Sequence, residues 1–274
     1  MQIKLIALDL DGTALRSDNT LSPAVAAAIK KTAACGVEIV AASGRPYGSM
    51  PQSVLTLPGV RYVISSNGAA VHDRTGKRLH ETLLKESAVL QLLDLTRDDD
   101  LIWEAFTDGA TYTDNRYLRD PVRYGCSPAY IGYVRGSRGG LDDMRQYMYD
   151  NRTRLDSVEF VCPDRDRRER IRTRLEQHTT GLYITSSSAH FVEFMDENAT
   201  KSRALQWLCR YLDIPLSQTA ACGNADNDAD MIACAGVKAA VANASESCKR
   251  AADMMVPSND RDDVAELIDR LLRG

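Results

Sequence analysis

Leu5-Ile6-Ala7-Leu8-Asp9-Leu10-Asp11-Gly12-Thr13 opens the chain with an apolar run that closes on two carboxylates one residue apart. A short apolar run ended by a turn signal reads as a buried strand of a parallel sheet, and Gly12-Thr13 supplies the stop. Two acids at the end of a buried strand are costly unless their charge is compensated, most simply by a cation. Asp-Gly is also an ordinary turn pair, so this stretch alone does not separate a solvated turn from a site.

Working outward, Ser22-Pro23 opens an alanine-rich helix, with serine suited to the N-cap and proline to the first turn. Val25, Ile29 and Ala33 mark its buried face, and Gly36 its stop. Residues 37–42 read as a second strand, ending in Ser43-Gly44-Arg45-Pro46, and 62–64 as a third, ending in Ser65-Ser66-Asn67-Gly68. Alternating strands and helices predict an α/β fold with a doubly wound, Rossmann-like parallel sheet, whose ligands sit at the carboxyl ends of the strands.

From residue 69 the rhythm shortens. A hairpin is expected around 73–76, helices over 86–97, 140–150 and 164–178, and strands at 101–106, 110–113, 157–162, 182–185 and 191–194. The stretch 115–140, rich in Tyr, Arg and Gly, shows no assignable period. This mixture predicts an inserted α+β domain with an antiparallel sheet over 83–188, splitting a core made of 1–82 and 189–274. The arginine-rich helix also carries Asp164, Asp166, Glu169 and Glu176, so a solvated face is expected rather than an anion site. The core rhythm then resumes: a helix over 200–211, a strand over 218–222 ending in Gly223-Asn224-Ala225-Asp226-Asn227-Asp228, then further helices and short strands.

Hydrophobic content of 44% and charged content of 26% over 274 residues are those of a globular protein. A net charge of −4 gives no electrostatic case for nucleic acid or a membrane surface. No apolar stretch approaches the ~20 residues of a membrane helix. The N-terminus runs straight into the first strand without secretory features, and seven scattered cysteines include no CxxC pair. Reduced thiols and a cytoplasmic protein are expected. His72, His80, His178 and His190 show no metal spacing.

Asp9-Leu10-Asp11, Ser43-Gly44-Arg45 and Gly223 to Asp228 each follow a predicted buried strand, and Lys201 sits near a helix start. In a parallel sheet these positions converge on one edge. Carboxylates, an asparagine and glycine turns suit Mg²⁺, while a hydroxyl, a lysine and exposed N–H groups suit a phosphate. Together they form the toolkit of phosphoryl transfer, with one aspartate available as nucleophile and the other, swung round by the Gly12 turn, as general acid. Singly, each has a blander reading: Ser43 as a helix cap, Lys201 as a surface lysine, Gly223-Asn224 as a turn.

In this order, DxDGT, SGR, a lysine and GNxxND make the chain resemble the haloacid dehalogenase superfamily, and within it the Cof-like phosphatases with a large cap between the second and third motifs. The run Ile64-Ser65-Ser66-Asn67-Gly68-Ala69 is similar to that subgroup as well. The resemblance implies a Mg²⁺-dependent phosphatase acting on small phosphorylated metabolites, sugar phosphates foremost, through an aspartyl-phosphate. It implies Asp9 as nucleophile and metal ligand, Asp11 as general acid/base whose backbone carbonyl also meets the metal, and Thr13 as support of the turn. Ser43, Gly44 and Lys201 would bind phosphate, Asn227 would help hold the phosphoryl group, and Asp228 would join the metal shell. Arg45 and Asn67 are candidates for substrate contact, and the insert would close over the site and read the leaving group. Asn224 stands where the family usually has Asp, so weaker metal binding is expected, with Asp226 a candidate for compensation. Ser202 stands where glycine is common. A phosphomutase on the same fold and a non-catalytic phospho-ligand binding protein remain open alternatives.

Overall fold

Leu5–Asp9 forms β1, buried at every residue because the strand has hydrogen-bonded neighbours on both sides. The computed structural model describes residues 2–186 and 188–273. They divide into two compact units: one takes in the chain up to Arg45, Met50–His80 and the chain from Thr200 on, the other Pro46–Ser49 and Glu81–Ala199.

In the first unit, α1 (Pro23–Ala34) is capped as expected, with Ser22 Oγ accepting from Val25 N at 3.1 Å. It leads to β2 (Glu38–Ala42), the one-turn α2 (Gln52–Leu55), β3 (Val60–Ser65), β4 (Ala70–Asp73) and β5 (Arg78–Glu81). The insert follows with α3 (Glu86–Leu95), β6 (Ile102–Thr107), β7 (Ala110–Asp114), α4 (Asn115–Arg119), α5 (Ile131–Ser137), β8 (Arg138–Leu141), α6 (Met144–Asp150), β9 (Leu155–Val161), α7 (Arg165–His178), β10 (Leu182–Thr185) and β11 (Phe191–Asp196). The first unit then resumes with α8 (Lys201–Tyr211), β12 (Thr219–Gly223), α9 (Ala229–Cys234), β13 (Val237–Val241), α10 (Glu246–Ala251), β14 (Met254–Val256) and α11 (Asp263–Arg273).

The eight-stranded sheet of the first unit runs β14-β13-β12-β1-β2-β3-β4-β5. Its strands from β14 to β3 are parallel, and β4 turns back antiparallel on β3. Leu5, Ala7, Val40, Ile64 and Ala221 meet Leu205 and Leu208 of α8 in one core layer. At roughly 25 cal/mol per Å² of apolar surface removed from water, such burial is the main stabilising term.

The second unit carries a six-stranded sheet ordered β10-β11-β9-β6-β7-β8. Its strands pair antiparallel apart from β7 with β8. The sequence reading ended the insert at 188. The boundary falls at 199 instead, because β11 pairs with β9 and β10 rather than with core strands. One sheet face packs Trp103, Phe160 and Phe194 with Ile171 and Leu175 of α7. The other packs Ile102 and Val161 with Tyr117 of α4, Val134 of α5 and Cys126, within the stretch that showed no period. On that second face Glu104, Glu159 and Glu193 stand in register on adjacent strands, all buried. Arg138 grips Glu104 with two bonds, Nε to Oε1 at 2.7 Å and Nη2 to Oε2 at 3.1 Å.

The arginine-rich α7 has the solvated face expected of mixed charge: Arg172 pairs with Glu176 and Arg174 with Asp99, while Ile171 and Leu175 face the core. All seven cysteines are free thiols. Among the described residues, no helix is long and apolar enough to cross a membrane.

Candidate active site

Asp9 is the last residue of β1 and is 4% exposed. It lies opposite Ala42 of β2, and Leu8 lies opposite Cys222 of β12, so Ser43 and Gly223 emerge at the same sheet edge as Asp9. Beyond β1 the chain turns at once: Ala14 N donates to Asp9 O at 3.2 Å and Leu15 N to Leu10 O at 2.8 Å. Gly12 sits at φ +78°, and a Cβ there would fall 2.6 Å from the Asn224 amide. The turn therefore needs glycine twice over, for its backbone and for the approach of Asn224. It leaves Asp9 buried and Asp11 exposed.

Lys201, the first residue of α8, is 1% exposed and lies between two carboxylates. Its Nζ donates to Asp9 Oδ1 at 2.7 Å and to Asp228 Oδ1 at 2.6 Å. Burial alone would push the lysine toward its neutral form, but Asp228 and Asp9 outweigh it and hold the ammonium above its usual range. Asp9 is pushed up to about 7, by burial and then by the charge of Asp228, with Lys201 pulling the other way.

Asp228 has both oxygens engaged. Besides Lys201, its Oδ2 accepts from the backbone N–H groups of Asn224 and Ala225, each at 3.0 Å. Its direct work is to hold Lys201 and to shape the 223–225 turn. Asp226 is exposed and tied to Ser247, facing away from the compensating role considered for it. Ser202 Oγ accepts from Gln206 within α8.

The second loop is drawn in from β3. Ser43 Oγ accepts from Arg45 N at 3.1 Å, Asn67 N donates to Ser43 O at 3.1 Å, and Ser66 N to Arg45 O at 2.9 Å. Ser66, Asn67 and Gly68 are three consecutive residues with positive φ. A Cβ on Gly68 would lie 2.3 Å from Thr200 O, so this turn presses against the start of α8. Asn67 Oδ1 accepts from Asn227 Nδ2 at 2.7 Å, and a Cβ on Gly44 would fall 3.1 Å from that oxygen. Asn67 is 2% exposed and joins the 43–45 loop to the 226–228 turn. Arg45 also acts inside the site: its Nε donates to Asp11 Oδ2 at 2.8 Å, its Nη2 bonds Asp11 Oδ1, and Nη2 reaches Asn19 Oδ1 at 2.6 Å.

Asn19 and Asn243, whose Nδ2 donates to Gly12 O at 3.0 Å, join the constellation without having been singled out. Asn243 follows β13 at a strand's carboxyl end, a position that could have marked it. Asn19 lies in a loop at φ +68° and carries no comparable signal.

Among the described residues, no group of three or more His, Cys, Asp and Glu forms a metal cluster. The oxygens that do converge belong to one carboxylate, one peptide, one amide and one hydroxyl. One terminal atom of the Asn224 amide lies 2.9 Å from Asp9 Oδ2, 2.9 Å from Asp11 O and 3.0 Å from Thr13 Oγ1. With Oδ1 in that place, Thr13 Oγ1 donates to it, and it confronts two further acceptors at contact distance. An amide nitrogen in that place would donate to all three, whereas an amide oxygen there meets the other acceptors only with a positive centre among them. Mg²⁺ at about 2.1 Å from each of two adjacent octahedral ligands sets those ligands about 2.9–3.0 Å apart. The donor set fits a small hard cation.

A family model of haloacid dehalogenase-like hydrolases matches residues 6–268. Phosphatase YwpJ of Bacillus subtilis (strain 168) is 29% identical over 286 residues, spanning 98% of this chain and 100% of that protein. From the same organism, 5-amino-6-(5-phospho-D-ribitylamino)uracil phosphatase YwtE is 26% identical over 294 residues, spanning 99% of each. A solved haloacid dehalogenase-like hydrolase from B. subtilis aligns with a TM-score of 0.85 at 28% identity, covering 98% of this chain and 100% of its own. The chain belongs to the haloacid dehalogenase-like hydrolases, as a phosphatase of their Cof-like type.

Proposed function

We propose that this enzyme hydrolyses small phosphorylated metabolites, sugar phosphates foremost, through an aspartyl-phosphate on Asp9. The observation that carries the reading is Asp9 itself: a buried carboxylate at a strand end, with Lys201 Nζ 2.7 Å from one oxygen and the Asn224 amide 2.9 Å from the other. Asp9 attacks phosphorus, the bond to the leaving oxygen breaks, and Asp11 delivers a proton to that oxygen. Asp11 then takes a proton from water as it attacks the acyl phosphate, which returns Asp9 and releases phosphate. Ser43, Gly44, Lys201 and Asn227 hold the phosphoryl oxygens, and Arg45 positions the Asp11 carboxylate.

Mg²⁺ would be held by Asp9, the Asp11 backbone carbonyl and Asn224, with Asp228 supporting them through Lys201 and the 223–225 turn. Bound there, it supplies neutralising charge to the phosphoryl group. We assign the chemistry to the first unit, as catalytic core, and substrate choice to the second, as cap. The relative YwtE, by its name, acts on a phosphorylated ribitylamino compound, which accords with this substrate class. The seven free thiols accord with the cytoplasm.

The test is phosphate release from an aryl phosphate and then from a panel of phosphorylated sugars, with Mg²⁺ present. Asp9→Asn is expected to lose about 10⁴-fold or more in kcat while remaining folded. Retained turnover in that variant overturns the nucleophile, and an isomerised sugar phosphate without free phosphate points to mutase chemistry.

A further inference from the structure

The amide of Asn224 is a neutral side chain set among the groups gathered at the end of β1. Its two terminal atoms are nearly equal in size and opposite in hydrogen-bonding character. Turned one way, Nδ2 donates to Asp9 Oδ2 at 2.9 Å, Asp11 O at 2.9 Å and Thr13 Oγ1 at 3.0 Å. Turned the other way, Oδ1 takes that place and accepts from Thr13 Oγ1 at 3.0 Å. The threonine hydroxyl serves both orientations, because a hydroxyl both donates and accepts. Asp9 Oδ2 and the Asp11 carbonyl do not: they only accept, so the second orientation requires a cation between the oxygens.

We propose that Asn224 works in both orientations, as an oxygen ligand when the divalent cation is bound and as a hydrogen-bond donor that takes the cation's place when it is not. The inference rests on the metal reading above. An aspartate at 224 has no such second state. Without metal it would set a third carboxylate against Asp9 and Asp228, which share one ammonium. The asparagine thus gives up a ligand charge in the metal-bound state, and in return the metal-free site stays assembled. Its backbone is held in either case, with N bonded to Asp228 Oδ2 at 3.0 Å and O accepting from Ser245 N at 2.7 Å, so only the amide plane turns.

The experiment compares the chelator-treated wild-type chain with Asn224→Asp, by calorimetric titration with MgCl₂ and by thermal melting with and without Mg²⁺. Asn224→Asp is expected to bind Mg²⁺ at least about tenfold more tightly, since ligand charge sets affinity at such sites. Without metal it should melt roughly 4 °C or more below wild type. A variant that binds Mg²⁺ no more tightly, or melts at or above wild type without metal, overturns the proposal and leaves the metal site standing. Failure of both proteins to bind Mg²⁺ overturns the metal reading and the proposal with it. Should the variant not fold, ¹⁵N-labelled wild-type protein gives the answer: the assigned Asn224 NH₂ protons should exchange with water more slowly without Mg²⁺ than with it. Equal exchange rates overturn the proposal.

Discussion

Both sheets bury carboxylates around a basic side chain, but they do so at different places on their strands. In the first unit Asp9 is the last residue of β1, and Asp228 lies beyond the end of β12, with Lys201 between them. Their remaining partners come from the 223–225 turn at the edge where the strands finish, the Asn224 side chain for Asp9 and two peptide N–H groups for Asp228. In the second unit Glu104 and Glu159 stand in the middle of β6 and β9, locked in register with Glu193, and a two-pronged guanidinium grips Glu104. Acids at strand ends border loops that can admit a ligand, whereas acids in mid-strand are enclosed by their own ladder. A buried ion pair is thus no sign of catalysis by itself, and its position along the strand carries the information.

Removing each basic group tests that contrast most severely. Lys201→Met and Arg138→Met should each destabilise the fold by about 3–5 kcal/mol, because either leaves a buried carboxylate without its counter-charge. Only Lys201→Met should also lower kcat toward an aryl phosphate in the folded fraction, by about 10³-fold. Denaturant melts paired with activity at fixed folded fraction separate the two effects. A comparable loss of kcat in Arg138→Met would erase the distinction.

Acidity gives a second contrast. Burial, and then the charges of Glu104 and Glu193, raise Glu159 well above the usual carboxylate range. The folded chain therefore keeps a proton that the unfolded chain releases, and stability falls as pH rises above about 4.5 toward the folded value. Glu159→Gln removes that dependence. It should melt above wild type at pH 8, with the gap closing toward pH 4.5.

In the first unit the sign reverses. His72 of β4 is brought down to about 4, by burial and then by Arg78. Here the unfolded chain takes up the proton first, so stability is lost as pH falls from about 6.5 to 4, by roughly 2 kcal/mol. His72→Gln should flatten that limb in denaturant titrations at pH 6.5 and 4.5, the smallest of these effects.

The core could be read from its sequence because each strand end carries its own signal within a few residues: Asp9 to Thr13, Ser43 to Arg45, Gly223 to Asp228. Residues 115–140 gave no period because their elements are short and their order comes from distant partners. Arg138 is placed by Glu104, 34 positions earlier, and Tyr117 and Val134 by the sheet face they cover. The end of the insert is misplaced for a related reason: residues 191–194 read as a strand, but which sheet that strand joins depends on pairing with Leu155–Val161. At the site, the sequence alone makes Asn67 and Arg45 candidates for substrate contact. Their bonds to Asn227 and Asp11 cross 160 and 34 positions of sequence, which no local motif records.

The segmented first unit also bears on how the protein is made. Asp9 leaves the ribosome long before Lys201 and Asp228, and at ordinary translation rates the interval is roughly 10–40 s. Throughout it, one side of β1 has no strand beside it, because its neighbour is Thr219–Gly223. Nascent chains of this protein should lean on chaperones until the final third is synthesised, and stalled or truncated products lacking it would carry an open, sticky edge to the cell's proteases.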